Sequence, residues 1–347
     1  MKEFTKEHSL IAKGIAIMLL LFYHLFHDEY VLNDMQVNYA PLSKQGILTL
    51  SGFGNICVAI FVMITAYGIA QSILKVENIT LKQIGKNSVK RLWKLVLNFF
   101  IVYASVNVVC FSFFDYASLY GKGKQGLLFM LCDATGLSPV LGTPMLNETW
   151  WYMKVAYVLI FLVPLLSLLV KKMGNAMLLF AFFAPFVVTF DKDIERYFFV
   201  AAFGVCAAYG NWFSKVINLK MHAIFKWGIG ILGSVVCVLV RQNAVVKDYF
   251  WNYVDAFVAF FMICAIVMTL GSVPVLDNIL AFLGKHSMNI FLMHTFLYLI
   301  VFRKYVYYFQ YAIVTFLILL VTSLLYSVVL ELLKKYVTIF LKKLKKK

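Results

Sequence analysis

Apolar residues run along the chain in ten long stretches separated by short polar ones. They fall near 9–27, 54–74, 91–114, 150–170, 175–190, 196–214, 222–241, 252–271, 286–303 and 307–330. A helix of roughly 20 apolar residues crosses a hydrocarbon core about 30 Å thick. Helices are the expected spanning form, because each satisfies its own backbone hydrogen bonds in lipid. The stretches are too long and too uniformly apolar for barrel strands. The pattern therefore predicts an all-α, polytopic membrane protein with about ten transmembrane helices. The least distinct boundary is the short "FDKDIERYF" between the fifth and sixth stretches.

The pattern also sets the domain organisation. One integral-membrane domain is expected over 1–333, followed by a basic tail at 334–347. The outer loop 115–149 carries "GLLFMLCDATGL", which reads as a short re-entrant or interfacial piece. The first stretch is too long for a signal peptide and lacks a small-residue cleavage site, so it reads as a retained helix.

Composition supports the same class. Of 347 residues, 63% are hydrophobic and 14% charged, against about 45–50% and about 25% in soluble domains. Charge then sets orientation. With the N-terminus inside, the inner segments hold 18 Lys and Arg and the outer ones 8, while the acidic residues collect outside. That asymmetry predicts that both termini are cytoplasmic. It also explains the net charge of +16 without nucleic acid. The lysines lie on inner loops and on the tail "KKYVTIFLKKLKKK", which suits anionic lipid headgroups. The six cysteines are scattered, with no CxxC and no spacing suited to a metal, so no metal is expected.

Within this apolar background, "KGIAIMLLLFYHLFHDEY" (13–30) is anomalous. Lys13 and His24 are eleven residues apart, three turns plus about 20°, and so share one helix face, roughly 16–17 Å apart along the axis. His27, one turn beyond, lies on the same face. Lysine at a helix centre costs roughly 2.5–3.5 kcal/mol on insertion scales, so an ionisable stripe in a spanning helix is a functional-site hypothesis. Histidine can act as a general base near neutral pH. No GxGxxG, GxSxG, P-loop or HExxH string occurs in a plausible context.

The same residues carry a resemblance. "KGIAIMLLLFYH", a basic residue, ten residues, then His, resembles the first-helix signature of the acyltransferase-3 family. "FVMITAYGI" (61–69) resembles its second-helix stretch, with Thr65 and Ala66 in place of Ser-Gly, before Tyr67. "VKRLWKL" (89–95) resembles its paired-arginine motif, with Lys94 in the second arginine's place. "TWWYMKVAYVLIFLVPLL" (149–166) and "LGKHSMNIFLMHTFL" (283–297) are similar to its Trp-aromatic and late histidine segments.

The resemblance implies a membrane acyltransferase. It would move an acyl group, most often acetyl from cytoplasmic acetyl-CoA, to a hydroxyl of an extracytoplasmic glycan or lipid-linked sugar. The setting would be a bacterial cytoplasmic membrane. His24 takes the catalytic position, as general base or as acyl carrier, and Lys13 that of its basic partner. Arg91 and Lys94, with Lys90 beside them, could face the phosphates of coenzyme A; arginine suits bidentate phosphate contacts. His294 matches the late histidine. Glu148 loosely matches an acidic position, and Lys154 would pair with it or face a polar cavity. Tyr67 is expected to line packing, His27 to be interfacial, and Asp255 to act as an interfacial cap or a functional carboxylate. The acceptor would enter at an outer mouth built from 28–53 and 115–149. The stripe would then wall a through-membrane path. Acyl-CoA is expected as a substrate, not as a permanently bound cofactor. Membrane lipids are expected partners, and a homodimer is compatible. The alternative is a proton-coupled transporter or flippase of a glycan or lipid intermediate. Such carriers often show helix-breaking sites in two repeated halves, and no internal repeat is visible. A non-catalytic partner subunit is the third reading.

Overall fold

A computed structural model describes residues 3–27, 32 and 35–344. Asp28, Glu29 and Asp34, part of the expected outer mouth, lie outside the described residues, as does the end of the basic tail. Twelve helices of at least eleven residues make up the described chain: α1 (Lys6–Phe26), α2 (Lys44–Gly54), α3 (Ile56–Leu74), α4 (Leu81–Cys110), α5 (Gly123–Ala134), α6 (Tyr152–Met173), α7 (Met177–Val187), α8 (Lys192–Tyr209), α9 (Ala223–Gln242), α10 (Trp251–Met268), α11 (Pro274–Thr295) and α12 (Ala312–Leu344). Among the described residues no strand forms; one isolated bridge joins Asn38 to Tyr311.

Local chemistry starts these helices where the polarity changes. Thr5 and Thr80 form capping boxes with His8 and Gln83, which satisfy otherwise orphaned backbone donors. Ser43 and Asp191 cap α2 and α8, and α11 opens on Pro274, at a position where the missing N–H costs nothing.

Seven helical runs among the described residues are long and apolar enough to cross a membrane: 6–26, 44–74, 81–113, 148–187, 223–242, 246–272 and 312–336. All ten predicted stretches are helical, yet three differ from expectation. The stretch expected at 175–190 is α7, which has only 11 residues and at 1.5 Å per residue reaches about half the membrane core. It follows α6 across a turn at Gly174, which has φ +58°. The helix expected from 196 starts at Lys192, because Asp191 caps a charged first turn. The helix expected at 286–303 is α11, which begins at Pro274. The expected start at 286 falls inside this helix, where His286 and Ser287 are buried.

The core is formed by α1, α3, α8 and α11. Residues 197–208 of α8 are all buried, and Gly204 lets it approach α3 so closely that a Cβ there would sit 2.8 Å from the Met63 carbonyl oxygen. Helices α4, α9 and α12 lie outside, with 28%, 6% and 28% of their most apolar windows buried.

The pairing of α1 with α11 positions everything that follows. A Cβ at Gly14 would meet the Leu280 carbonyl oxygen, and one at Gly284 would meet the Leu10 carbonyl oxygen. The contact is reciprocal: Leu10-x3-Gly14 on one helix lies against Leu280-x3-Gly284 on the other. In lipid the hydrophobic effect does not drive helices together, so close backbone approach at small residues supplies much of the attraction. Ten residues after each glycine comes a histidine, His24 and His294. Their rings are 4.8 Å apart, so the two helices run parallel and in register.

Candidate active site

The basic end of the stripe opens into a polar cavity of about 510 Å³. Lys6, Ser9 and Lys13 come to it from α1, and Thr65, Gly68, Ser72 and Lys75 from one face of α3. Arg91 reaches in from α4, and its guanidinium donates to Ser72 Oγ at 2.6 Å. Lys75 pairs at 3.0 Å with Glu3, both largely exposed. Lys90 and Lys94 do not line this cavity and are exposed. Lys90 is one step of 100° away from Arg91 around α4; Lys94, three residues on, is on Arg91's side of the helix but its side chain stays exposed outside the cavity. Of the expected basic trio, only Arg91 joins Lys13.

Tyr67 is buried in the wall of the same cavity, against the rings of Phe4 and Phe213. Its hydroxyl accepts from Gln71 Nε2 at 3.2 Å. The sequence reading missed Lys6, Ser72 and Lys75. The signal was available: Lys6 and Lys13 are two turns apart, and Thr65, Ser72 and Lys75 recur at helical spacing.

A second cavity, apolar and about 280 Å³, continues from the first. Lys13, Thr65, Ile69 and Arg91 belong to both, so they form the rim where one becomes the other. Leu95, Ala156 and Ile160 line its wall, and Tyr152, Leu20 and Phe291 line it further in. Leu20 is one turn before His24. The Phe291 ring is 6.1 Å from that of His294. The tunnel thus ends one turn short of the histidine pair, and neither histidine lines it. The expected through-membrane path is instead a blind tunnel with a wall.

The two histidines differ in support. His294 is fully buried, and its Nδ1 donates to the Phe291 carbonyl oxygen at 2.7 Å. A carbonyl can only accept, so the proton is on Nδ1 and Nε2 carries a lone pair. Thr295 Oγ1 lies 3.5 Å from that Nε2 and 3.1 Å from Thr149 Oγ1, which donates to Asn147 Oδ1 at 2.8 Å. Trp150 anchors this part of α11 through an indole N–H donated to the Leu292 carbonyl at 2.8 Å. Among the described residues, His24 meets the rings of His294, Tyr298 at 6.2 Å and Tyr23 at 5.1 Å.

The remaining expected residues lie elsewhere. Glu148 is exposed at the start of a 3-10 turn. Lys154 does not pair with it. Its ammonium sits 2.8 Å from Asp191 and 2.6 Å from Asp193. The hydrogen bond from Lys154 holds the Asp191 carboxyl below the usual carboxylate range. Asp255 is no interfacial cap. It is buried and takes a two-pronged ion pair from Arg241, at 2.8 and 3.2 Å. A partner on another helix is invisible to a reading that meets Asp255 alone in an apolar run. His27 is exposed and stacks on Tyr23 at 4.4 Å. No cluster of three or more His, Cys, Asp or Glu among the described residues could hold a metal ion.

A family model described as an acyltransferase domain matches residues 11–332. No curated protein and no solved structure matches the chain.

Proposed function

Because the chain belongs to the acyltransferase-3 family and is a membrane acyltransferase, we propose that it takes an acetyl group from acetyl-CoA and passes it to a hydroxyl of a glycan or lipid-linked sugar on the other side of the membrane. The observation that carries this reading is the two-part cavity: a basic vestibule at Lys13 and Arg91 leads into an apolar blind tunnel aimed at two histidines. The vestibule suits the phosphates of coenzyme A, through charge-assisted contacts from Arg91 and Lys13. The tunnel suits the uncharged arm and the thioester. The positive-inside asymmetry makes the basic end cytoplasmic, in the plasma membrane of a bacterium.

In the transfer, His24 Nε2 takes the proton of the acceptor hydroxyl as its oxygen attacks the thioester carbon. The C–S bond then breaks, the new ester C–O bond remains, and the imidazolium returns the proton to the departing thiolate. Atoms and charge balance with no other reactant. His294 presents a fixed Nε2 lone pair beside His24, which can accept the His24 N–H while that ring carries the extra proton. A transporter needs a passage for its cargo, and the wall at Leu20 and Phe291 favours transfer of a small group over passage of a whole molecule.

Calorimetry with acetyl-CoA on detergent-purified protein tests the reading. A hydrogen bond to a charged group contributes about 1.5–3 kcal/mol, so Arg91→Ala and Lys13→Ala should each weaken binding by about ten- to a hundredfold. Lys90→Ala and Lys94→Ala should bind within about twofold of wild type, because neither side chain reaches the cavity. Folded wild-type protein that takes up no acetyl-CoA would overturn the proposal.

A further inference from the structure

His294 can serve His24 only while its Nε2 lone pair stays open, and two threonine hydroxyls lie in line with that atom. Thr295 follows His294 at the end of α11. It is buried, and its Oγ1 is 3.5 Å from that Nε2. The same oxygen is 3.1 Å from Thr149 Oγ1, in the 3-10 turn before α6. A threonine hydroxyl carries one proton, so Thr295 can donate to one of these two atoms and not to both. Burial makes it costly for that proton to have no acceptor at all.

The proton of Thr149 decides which acceptor it finds. Thr149 Oγ1 donates to Asn147 Oδ1 at 2.8 Å, and the Thr149 backbone N–H donates to the same atom at 3.0 Å. A backbone N–H can only donate, so the atom it meets is the amide oxygen and not the nitrogen. With its own proton on Asn147, Thr149 accepts from Thr295. Reversing both hydroxyls would exchange the 2.8 Å contact for the one of 3.5 Å, beyond the usual length of a hydrogen bond. A helix threonine has one other outlet, the carbonyl four residues back. Here that is Phe291, whose oxygen already takes the His294 Nδ1–H at 2.7 Å.

We infer that Thr149 and Thr295 are positioning residues. The chain from Thr295 through Thr149 to Asn147 holds the Thr295 proton away from His294 and keeps Nε2 open for the His24 N–H. The inference rests on the acyl-transfer reading and adds to it a control that starts in the outer segment, at a residue that meets neither histidine.

The chain implies an order of effects that packing alone does not produce. Without the Thr149 hydroxyl, the acceptor left to Thr295 is Nε2 itself, and the lone pair is blocked. Without the Thr295 hydroxyl as well, no proton remains to block it.

The test compares Thr149→Val, Thr149→Ser and Thr149→Val/Thr295→Val. Transfer is read in native membranes that hold the endogenous acceptor, with radiolabelled acetyl-CoA as donor. Binding of acetyl-CoA is read by calorimetry on the purified proteins. Thr149→Val should lose about ten- to a hundredfold in transfer, the worth of a hydrogen bond to a charged group, with acetyl-CoA binding unchanged. Thr149→Ser keeps the hydroxyl and should transfer close to the wild-type rate. The double variant should regain most of the loss, a coupling that independent packing defects do not show.

Three results would each overturn the inference and leave acyl transfer standing: Thr149→Val at the wild-type rate, Thr149→Ser as slow as Thr149→Val, or a double variant no faster than Thr149→Val. Wild-type protein that neither binds acetyl-CoA nor transfers acetyl would overturn both.

Discussion

The contact between α1 and α11 is the most demanding in the molecule, and Gly284→Ala is its sharpest test. An alanine Cβ at 284 would lie 1.9 Å from the Leu10 carbonyl oxygen, whereas ordinary contact starts at 3.4 Å. The obstacle is helix backbone, which cannot swing aside, so the helices must part by about 1.5 Å at that level. His294 lies ten residues further along, about 15 Å up the axis. Any share of the opening that reaches that level separates the two imidazoles, now 4.8 Å apart. A misplacement of 1 Å costs about a hundredfold in rate, and overpacking costs about 1–3 kcal/mol of stability. In nanodiscs, Gly284→Ala should thus lose about a hundredfold in acetyl transfer and melt below wild type. Gly228→Ala is the matched control. A Cβ there meets nothing within 4 Å, and removing a mid-helix glycine gains up to about 1 kcal/mol. If Gly284→Ala transferred acetyl within twofold of wild type, the register of the helix pair would not be what holds the histidines together.

Two further expectations concern the frame around the site. Asp255→Asn strands the buried Arg241 charge and should cost about 3–5 kcal/mol, with much of the loss recovered in Arg241→Met/Asp255→Leu; thermal melts in detergent read both, and an unaffected single variant would refute the pairing. In the outer segment, Asp133 is fully buried and accepts from Tyr120 at 2.6 Å and from the Leu146 N–H at 2.7 Å. Burial pushes its carboxyl up to about 6. The folded chain then binds the proton more tightly than the unfolded one, whose carboxyl titrates near about 3.9. That contribution to stability is complete below pH about 4 and is lost as pH rises through about 6, at up to roughly 1.4 kcal/mol per pH unit. Asp133→Asn should flatten the slope in that window, and identical melting-versus-pH curves for the two proteins would contradict it.

Much of the fold was legible because hydrophobic runs and capping residues act locally. All ten apolar stretches became helices, and Thr5, Thr80 and Asp191 start three of them. Where local reading failed, the cause was tertiary. The stretch expected from 286 begins at Pro274 instead, because burial of polar residues against neighbouring helices leaves no mark on periodicity. The basic stripe from Lys13 to His24 was visible, being on one helix. The partnership of His24 with His294 depends on a contact across 270 positions of sequence, set by two glycines whose role only packing reveals. Lys90 and Lys94 looked equivalent to Arg91 by composition, and only the folded chain shows that Arg91 reaches the cavity while both lysines stay exposed. Lys154 was expected to pair with Glu148 nearby in sequence or to face a polar cavity, yet its ammonium pairs with Asp191 and Asp193 at the start of α8.

The wall formed by Leu20, Phe291 and the two imidazoles has a consequence for the cell's ion balance. An enzyme that works on both faces of a membrane risks short-circuiting the proton gradient. On the proposed reading an acetyl group crosses one way and the acceptor's hydroxyl proton crosses the other, handed over through His24, an exchange that moves no net charge. Coenzyme A and the sugar each stay on the side from which they came. The chain can then export acetyl groups at the expense of a thioester, with no pore to gate and no free ion released into the membrane.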